Sequence, residues 1–319
     1  MKPLTDDFKQ LIDRWKSVDV INFFNSPFGK TKDNLNDFRG FILIPNDSSQ
    51  IQQLSAVNCD FSFARFFDLS IKESSFSNCF FDYAILTNFS DTKCALVNTS
   101  FYMTEFIECS IGNNTTVYNS CKFVDVKYID TFFENPLFST CTFTGSSFPV
   151  INSSVSDDDD SNLNHNCFDM VDFNVSGFMD CKFSGYLNNI VFSGKSYDDN
   201  LISHHRGLYR CDFSKAILRN IFLINGCPVQ NLVLPDSGET ILISKNKFLE
   251  LLPIINDLIA KHKVEINFNN YLTVIEENNC LDIILSLYDF INLDTNIFSP
   301  DNENLKVAEI IYANILKNI

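Results

Sequence analysis

Four histidines (His165, His204, His205 and His262), eleven cysteines and two dense runs of aspartate are the groups in this 319-residue sequence best able to bind a metal, move a proton or attack a substrate. Their spacing argues against each chemistry. His204 and His205 are adjacent, so their side chains diverge, and neither carboxylate nor thiolate stands at ligand spacing from them. No CxxC occurs, which removes paired-thiolate zinc binding. A P-loop, a GxGxxG turn, a GxSxG elbow and an HExxH helix are all absent. The expectation is no catalytic residue, no metal, no cofactor and no enzyme.

Charge remains. Forty acidic residues against 24 basic ones leave a net charge of -16, which opposes any direct grip on nucleic acid. The acidic groups concentrate at Asp157, Asp158, Asp159 and Asp160 and again at Asp198 and Asp199, close to the cations Arg206 and Arg210. These eight residues are the candidate partner-binding set, and the partner they suit is a basic protein. The plainer reading of the four-aspartate run is a solvated loop tip. Residues 56–200 hold 19 acidic and 7 basic side chains, a net of -12, whereas Arg206, Arg210, Lys215 and Arg219 form a small basic end.

The elements that must carry these residues follow from a repeat of five. Every fifth residue from Phe61 to Ile111 is large and apolar except Asp91. After a two-residue slip between Gly112 and Thr116, all seven positions from Tyr118 to Phe148 are aromatic. The frame returns at Phe168 to Phe183 and at Leu208 to Leu223, so 25 of 26 central positions are apolar. Neither the helical period of 3.6 nor the strand period of 2 produces a strict five, so each pentad must be one side of a coil. Two residues before each centre stands a small residue, and eight of the eleven cysteines fall there: Cys59, Cys79, Cys94, Cys109, Cys121, Cys141, Cys181 and Cys211. They read as packing residues. Asp91 is expected to bulge outward at a corner; the alternative is a buried carboxylate with a raised pKa.

Pentads such as CDFSF, CKFVD, CTFTG, CDFSK and AILRN resemble the pentapeptide-repeat family across residues 51–233. The resemblance implies a mainly β fold, a right-handed quadrilateral parallel β-helix with four pentads per coil and about six coils. It implies no shared active site.

The flanks complete the expected layout. Residues 1–50 hold an amphipathic helix over 4–24, a strand from Phe38 to Ile44 and a turn at 45–49 that lead into the solenoid. Residues 51–235 form the β-helix, with loop insertions near 149–166 and 186–207. Residues 236–319 form an α-helical domain, with helices over Lys247 to Lys261, Leu281 to Leu293 and Glu303 to Leu316; Pro253 either kinks the first or marks its start. These C-terminal helices also offer a homodimer contact. No apolar run reaches a membrane span and none of signal-peptide length follows MKPLTDDFKQ, while sequons at Asn88, Asn98 and Asn174 fall within the packed repeat. The expectation is a soluble cytoplasmic protein.

Three functions use a rigid acidic surface of this kind. An immunity protein covers a toxin. A DNA mimic occupies the DNA site of gyrase or a related topoisomerase, as acidic fluoroquinolone-resistance members of the family do. A scaffold or secreted effector merely spaces its end domains. The long interruptions and the sizeable helical flank favour the immunity role over the mimic, because each toxin demands its own surface.

Overall fold

The structure, a computed structural model, describes residues 10, 11, 13–15, 29–43, 49–113, 115–145, 171–173, 176–194, 206–235, 240–262, 282–286 and 303–318. Short strands of two to four residues alternate with corners, and each strand pairs in parallel with the strand one coil away. Ser75–Ser77 pairs with Ala95–Val97, and Arg65–Phe67 with Ile85–Thr87, both at an offset of 20 residues. Twenty residues at five per side make a four-sided coil, as the resemblance implies. The offset rises to 22 where Ala95–Val97 meets Val117–Asn119 and returns to 20 at Leu137–Ser139, which locates the slip between Gly112 and Thr116.

The four sides stack into four faces. The first carries the centres Phe61, Phe81, Phe101, Phe123, Phe143, Phe183 and Phe213. Their rings stack face to face in one continuous ladder, with neighbouring centroids 4.4 to 5.4 Å apart. The second comprises Ile42–Leu43, Arg65–Phe67, Ile85–Thr87, Glu105–Ile107 and Lys127–Ile129. The third runs from Ser49–Gln52 to Phe132–Phe133, and the fourth from Ser55–Val57 to Val229–Gln230. The axis of so narrow a coil is filled mainly by these rings, so aromatic burial supplies most of the stabilisation.

The eight repeat cysteines are all buried and unpaired. Every thiol but that of Cys59 lies against backbone carbonyls of its own coil and the preceding one; Cys109 Sγ is 3.2 Å from the Leu86 oxygen and 3.3 Å from that of Ile107. Burial pushes the Cys109 thiol up to about 11 and that of Cys211 up to about 12, so neither is a nucleophile at neutral pH.

The corners have a requirement of their own. Two residues after each centre the backbone turns left-handed, with φ between 50° and 62° at Phe63, Asp68, Asn78, Tyr83, Asn88, Asn98 and Met103. Asparagine tolerates this region, and its side-chain amide bridges coils: Asn98 donates to Asn78 at 3.3 Å, and Asn78 to Asn58 at 3.1 Å. Phe63, Tyr83 and Met103 have no such excuse. A bulky residue held there costs about 1–2 kcal/mol relative to glycine.

Several expectations need correction. Asp91 does not bulge outward: it is fully buried in the third face, paired with Ile71. The coil begins before residue 51, because Asn36–Asp37 already pairs with Cys59–Asp60 and Ile42–Leu43 with Arg65–Phe66. Phe38 and Phe41 both turn inward, so of the strand expected from Phe38 to Ile44 only Ile42–Leu43 forms among the described residues, and a separate short strand, Asn36–Asp37, precedes it on the adjoining face. Of the helix expected over 4–24, Gln10, Leu11 and Asp13 are helical and Arg14–Trp15 is a turn. That turn is held because the Trp15 indole donates to the Arg39 carbonyl at 2.8 Å and Arg14 pairs with Asp37 at 2.8 Å. Burial raises the Asp37 pKa, but hydrogen bonds from Arg14 and Arg39 outweigh it and hold the carboxyl well below the usual range.

The second interruption is shorter than expected. Lys182–Ser193 is one strand in register with Asp212–Ile224, so the coil persists beyond residue 186. Only four residues separate Phe183 from Leu187, against five between Phe213 and Leu218, and that single deletion disguises the repeat. After Gly194 the described chain resumes at Arg206.

At the C-terminal end, the helix expected over Leu281 to Leu293 is replaced, in its described part, by the strand Asp282–Ser286. Its Ile283, Ile284 and Leu285 are buried, and it pairs antiparallel with Thr240–Ser244 while Ile284 meets Ile221 of the last long coil strand. This covers part of an edge that would otherwise be open to another chain. The helices Lys245–His262 and Glu303–Asn318 close a second apolar cluster around Phe248, Ile255, Ile311 and Ile315. Pro253 lies inside the first helix.

Candidate functional site

Asp157, Asp158, Asp159, Asp160, Asp198 and Asp199 lie outside the described residues, as do His165, His204 and His205. Arg206 is half-buried where the described chain re-enters the coil. Arg210 occupies a left-handed corner, φ 52°, directly over the corner residue Asp180, φ 55°. The two form a bidentate pair, Nε to Oδ1 at 2.7 Å and Nη2 to Oδ2 at 2.6 Å. Hydrogen bonding to Arg210 lowers the Asp180 pKa. The basic end read from the sequence is therefore weaker than its count, since Arg210 is neutralised and Arg219 is buried in the coil wall.

Asp91 is the group that departs most from its surroundings. Its Oδ1 accepts the Gly112 amide at 2.8 Å and its Oδ2 the Tyr118 hydroxyl at 2.9 Å, with a third hydrogen bond from the Thr116 side chain. Burial pushes its pKa up to about 6, with these donors working against the rise. Burial also raises Tyr118, and the Asp91 charge adds to it. All three donors belong to or flank the two-residue slip, so the carboxylate fixes the backbone where the coil changes offset. A cavity of about 30 Å³ adjoins it, lined otherwise by Phe61, Phe81, Phe101 and their neighbours. The carboxylate's hydrogen bonds go to one backbone amide and the hydroxyls of Thr116 and Tyr118, all around the slip, so its role here is structural.

Outward-facing charge follows the corners. Along the far edge of the second face run Asp68, Asn88, Glu108 and Asp130, all exposed and all left-handed. Asn88 donates to Asp68 at 2.7 Å, whereas Glu108 and Asp130 stand on successive coils, and among the described residues none of the three carboxylates has an ion pair. Like charges in register one coil apart repel. The near edge of the same face is its opposite: Phe63 and Tyr83 stack at 5.0 Å, and Tyr83 and Met103 are more than two-fifths exposed. The sequence held a signal for both edges, the identity of the residue two places after each centre, but only the left-handed backbone shows why those positions project.

Among the described residues no group of three histidine, cysteine or carboxylate side chains could hold a metal, and no helix is long and apolar enough to cross a membrane.

No protein-family model matches the sequence, and no curated protein matches it. Among solved structures the chain is similar to a trypsin-treated form of QnrB1, a plasmid-mediated fluoroquinolone resistance protein, at 14% identity over 59% of this chain and 93% of that one, with a TM-score of 0.18. It is similar also to HetL, a pentapeptide repeat protein involved in heterocyst differentiation regulation in the cyanobacterium Nostoc, at 13% identity over 59% and 86%, with a TM-score of 0.19. Identity this low speaks to fold alone. Its own five-residue columns, four stacked faces and twenty-residue offset make the chain a pentapeptide-repeat β-helix.

Proposed function

We propose that the chain is a non-catalytic, protein-binding solenoid of the cytoplasm that neutralises a basic protein by covering it, as an immunity protein covers a toxin. The observation that carries this reading is the unpaired acidic corner of Asp68, Glu108 and Asp130 on a rigid coil whose net charge is -16. Such a surface speeds encounter with a cationic partner and repels nucleic acid. The candidate loops around Asp157 and Asp198 add to the same field.

The charge density bears on the DNA-mimic alternative. That corner sets three carboxylates over three coil steps, roughly 14 Å at the usual 4.8 Å strand spacing. One strand of B-DNA carries about four phosphates in that length and its partner strand as many again. The opposite edge of the face carries Phe63, Tyr83 and Met103 before Asp125 in place of a second row of charge, so the face is a poor copy of a duplex and a good rim for a protein interface. Gel filtration of the chain with any basic protein encoded in an adjoining reading frame should yield a stable complex, and separate elution at micromolar concentration, or the absence of such a frame, counts against neutralisation by binding. A gyrase supercoiling assay separates the alternatives: supercoiling should be unaffected, and inhibition would select the topoisomerase reading.

A further inference from the structure

Outward apolar side chains occur on more than one face: the fourth turns out Val57, Val97, Val117, Leu137 and Met179, and the third Phe132. The second face sets a group of them along the acidic corner. The second displays Phe67, Ile85, Ile107 and Ile129, each half-buried with nothing described packed over it. Register places Ile107 beside Ile129 as a short apolar strip along the coil axis, with Phe67 beyond Thr87 in the same column and Ile85 in the neighbouring column between Arg65 and Glu105. The two charges nearest its centre, Glu105 and Lys127, cancel each other at 3.1 Å. The strip is bounded on one side by exposed Tyr83 and Met103 and on the other by the acidic corner.

We propose that this face is the docking surface for the partner, and that the partner presents an aliphatic strip edged on one side by arginine or lysine. The proposal rests on the basic-partner reading above and gives it an address. Charge complementarity selects the occupant. Glu108 and Asp130 repel each other across one coil step, and a cation seated between them removes that repulsion while aliphatic side chains cover the isoleucines. Tyr83 and Met103 fit as anchors, because both sit at corners where asparagine would be easier to hold and both project into solvent. A second copy of this chain is a poorer occupant, since it brings another net charge of -16 to an acidic rim.

The test uses a fluorescent synthetic helical peptide with leucines on one face and arginines along one edge, and a counterpart with glutamates in place of the arginines. Anisotropy should show the cationic peptide binding the full chain and the acidic one not binding. Met103→Asn combined with Ile107→Asn, and separately Glu108→Lys, should each weaken binding at least tenfold, whereas Glu73→Lys on another corner should leave it within twofold. Circular dichroism checks that each variant is folded. Equal weakening by Glu73→Lys, or none by the face variants, overturns the surface assignment and leaves the basic-partner reading standing. Failure of the cationic peptide to bind overturns the surface, and only the additional failure of the gel-filtration test removes the broader reading. Concentration-dependent dimerisation in sedimentation velocity, abolished by Ile107→Asn, would assign the face to a second copy and overturn the proposal.

Discussion

The Tyr118 hydroxyl donates to the buried carboxylate of Asp91 across 2.9 Å, joining residues on adjacent coils and adjoining faces where the coil offset rises from 20 to 22. This contact has a measurable signature, because the carboxyl is fully buried and its pKa is raised from 3.8 to about 6. The folded state holds the proton more tightly than the unfolded state. Asp91 therefore favours folding most at low pH; its contribution falls as pH rises from near 4 through 6 and is level above that. The rise corresponds to a penalty on the order of 3 kcal/mol at neutral pH.

Asp91→Asn should remove that slope. The amide keeps an acceptor for Gly112 N–H and a polar partner for Tyr118, without charge. Urea midpoints at pH 4.5 and pH 7.5 should converge in the variant, with the larger gain at pH 7.5. An unchanged difference between the two pH values would show that Asp91 is not the titrating group.

The aromatic ladder predicts a large loss from a single truncation. Phe143 is fully buried and stacks at 4.9 Å on both Phe123 and Phe183. Phe143→Ala should destabilise by about 3–5 kcal/mol in chemical unfolding, and Phe143→Leu by distinctly less. A cost below about 1 kcal/mol would mean the coil relaxes around the gap.

Gly185 supports the wall where the first interruption leaves the coil. Its φ is 78°, and a Cβ there would lie 2.3 Å from the Gly145 carbonyl oxygen and 2.8 Å from its carbon, backbone atoms that cannot swing aside. Gly185→Ala should lower the thermal midpoint by several degrees through strain and displacement of the Gly145 strand end. Gly29→Ala is the comparison, since its φ is 103° but no atom lies within 4 Å. Equal losses in the two would assign the effect to backbone conformation alone.

The corner residues separate stability from binding. Met103→Asn replaces a bulky residue at φ 51° with one suited to it, so thermal stability should be unchanged or raised by about 1 kcal/mol. A substantial fall would show that Met103 is held for packing rather than for contact with a partner.

How much of this was legible before folding follows from the range of each interaction. The inward columns were legible because a period of five needs only local spacing, and the cysteines fell into place with them. The orientation of Asp91 was not, since Gly112, Thr116 and Tyr118 lie 21 to 27 residues away and nothing local announces three donors. The coil from Tyr186 to Ser193 was hidden by one missing residue before Leu187, which shifts the frame without opening the wall. The run at Ile283, Ile284 and Leu285 suits a helix or a strand equally, and pairing with Thr240–Ser244 decided it. The binding face was the least legible. Half-buried isoleucines at outward positions look like ordinary strand residues until the coil sets Ile107 beside Ile129, 22 residues away, next to the acidic corner.

The central claim, that the chain neutralises a basic partner by direct contact, is tested most directly by sequencing the adjoining reading frames and titrating the purified chain against the activity of any basic protein found there. Activity should fall in proportion to added chain and vanish near one equivalent, with Glu108→Lys shifting the end point to higher concentration. Full activity in the presence of a tenfold excess of wild-type chain would contradict the account.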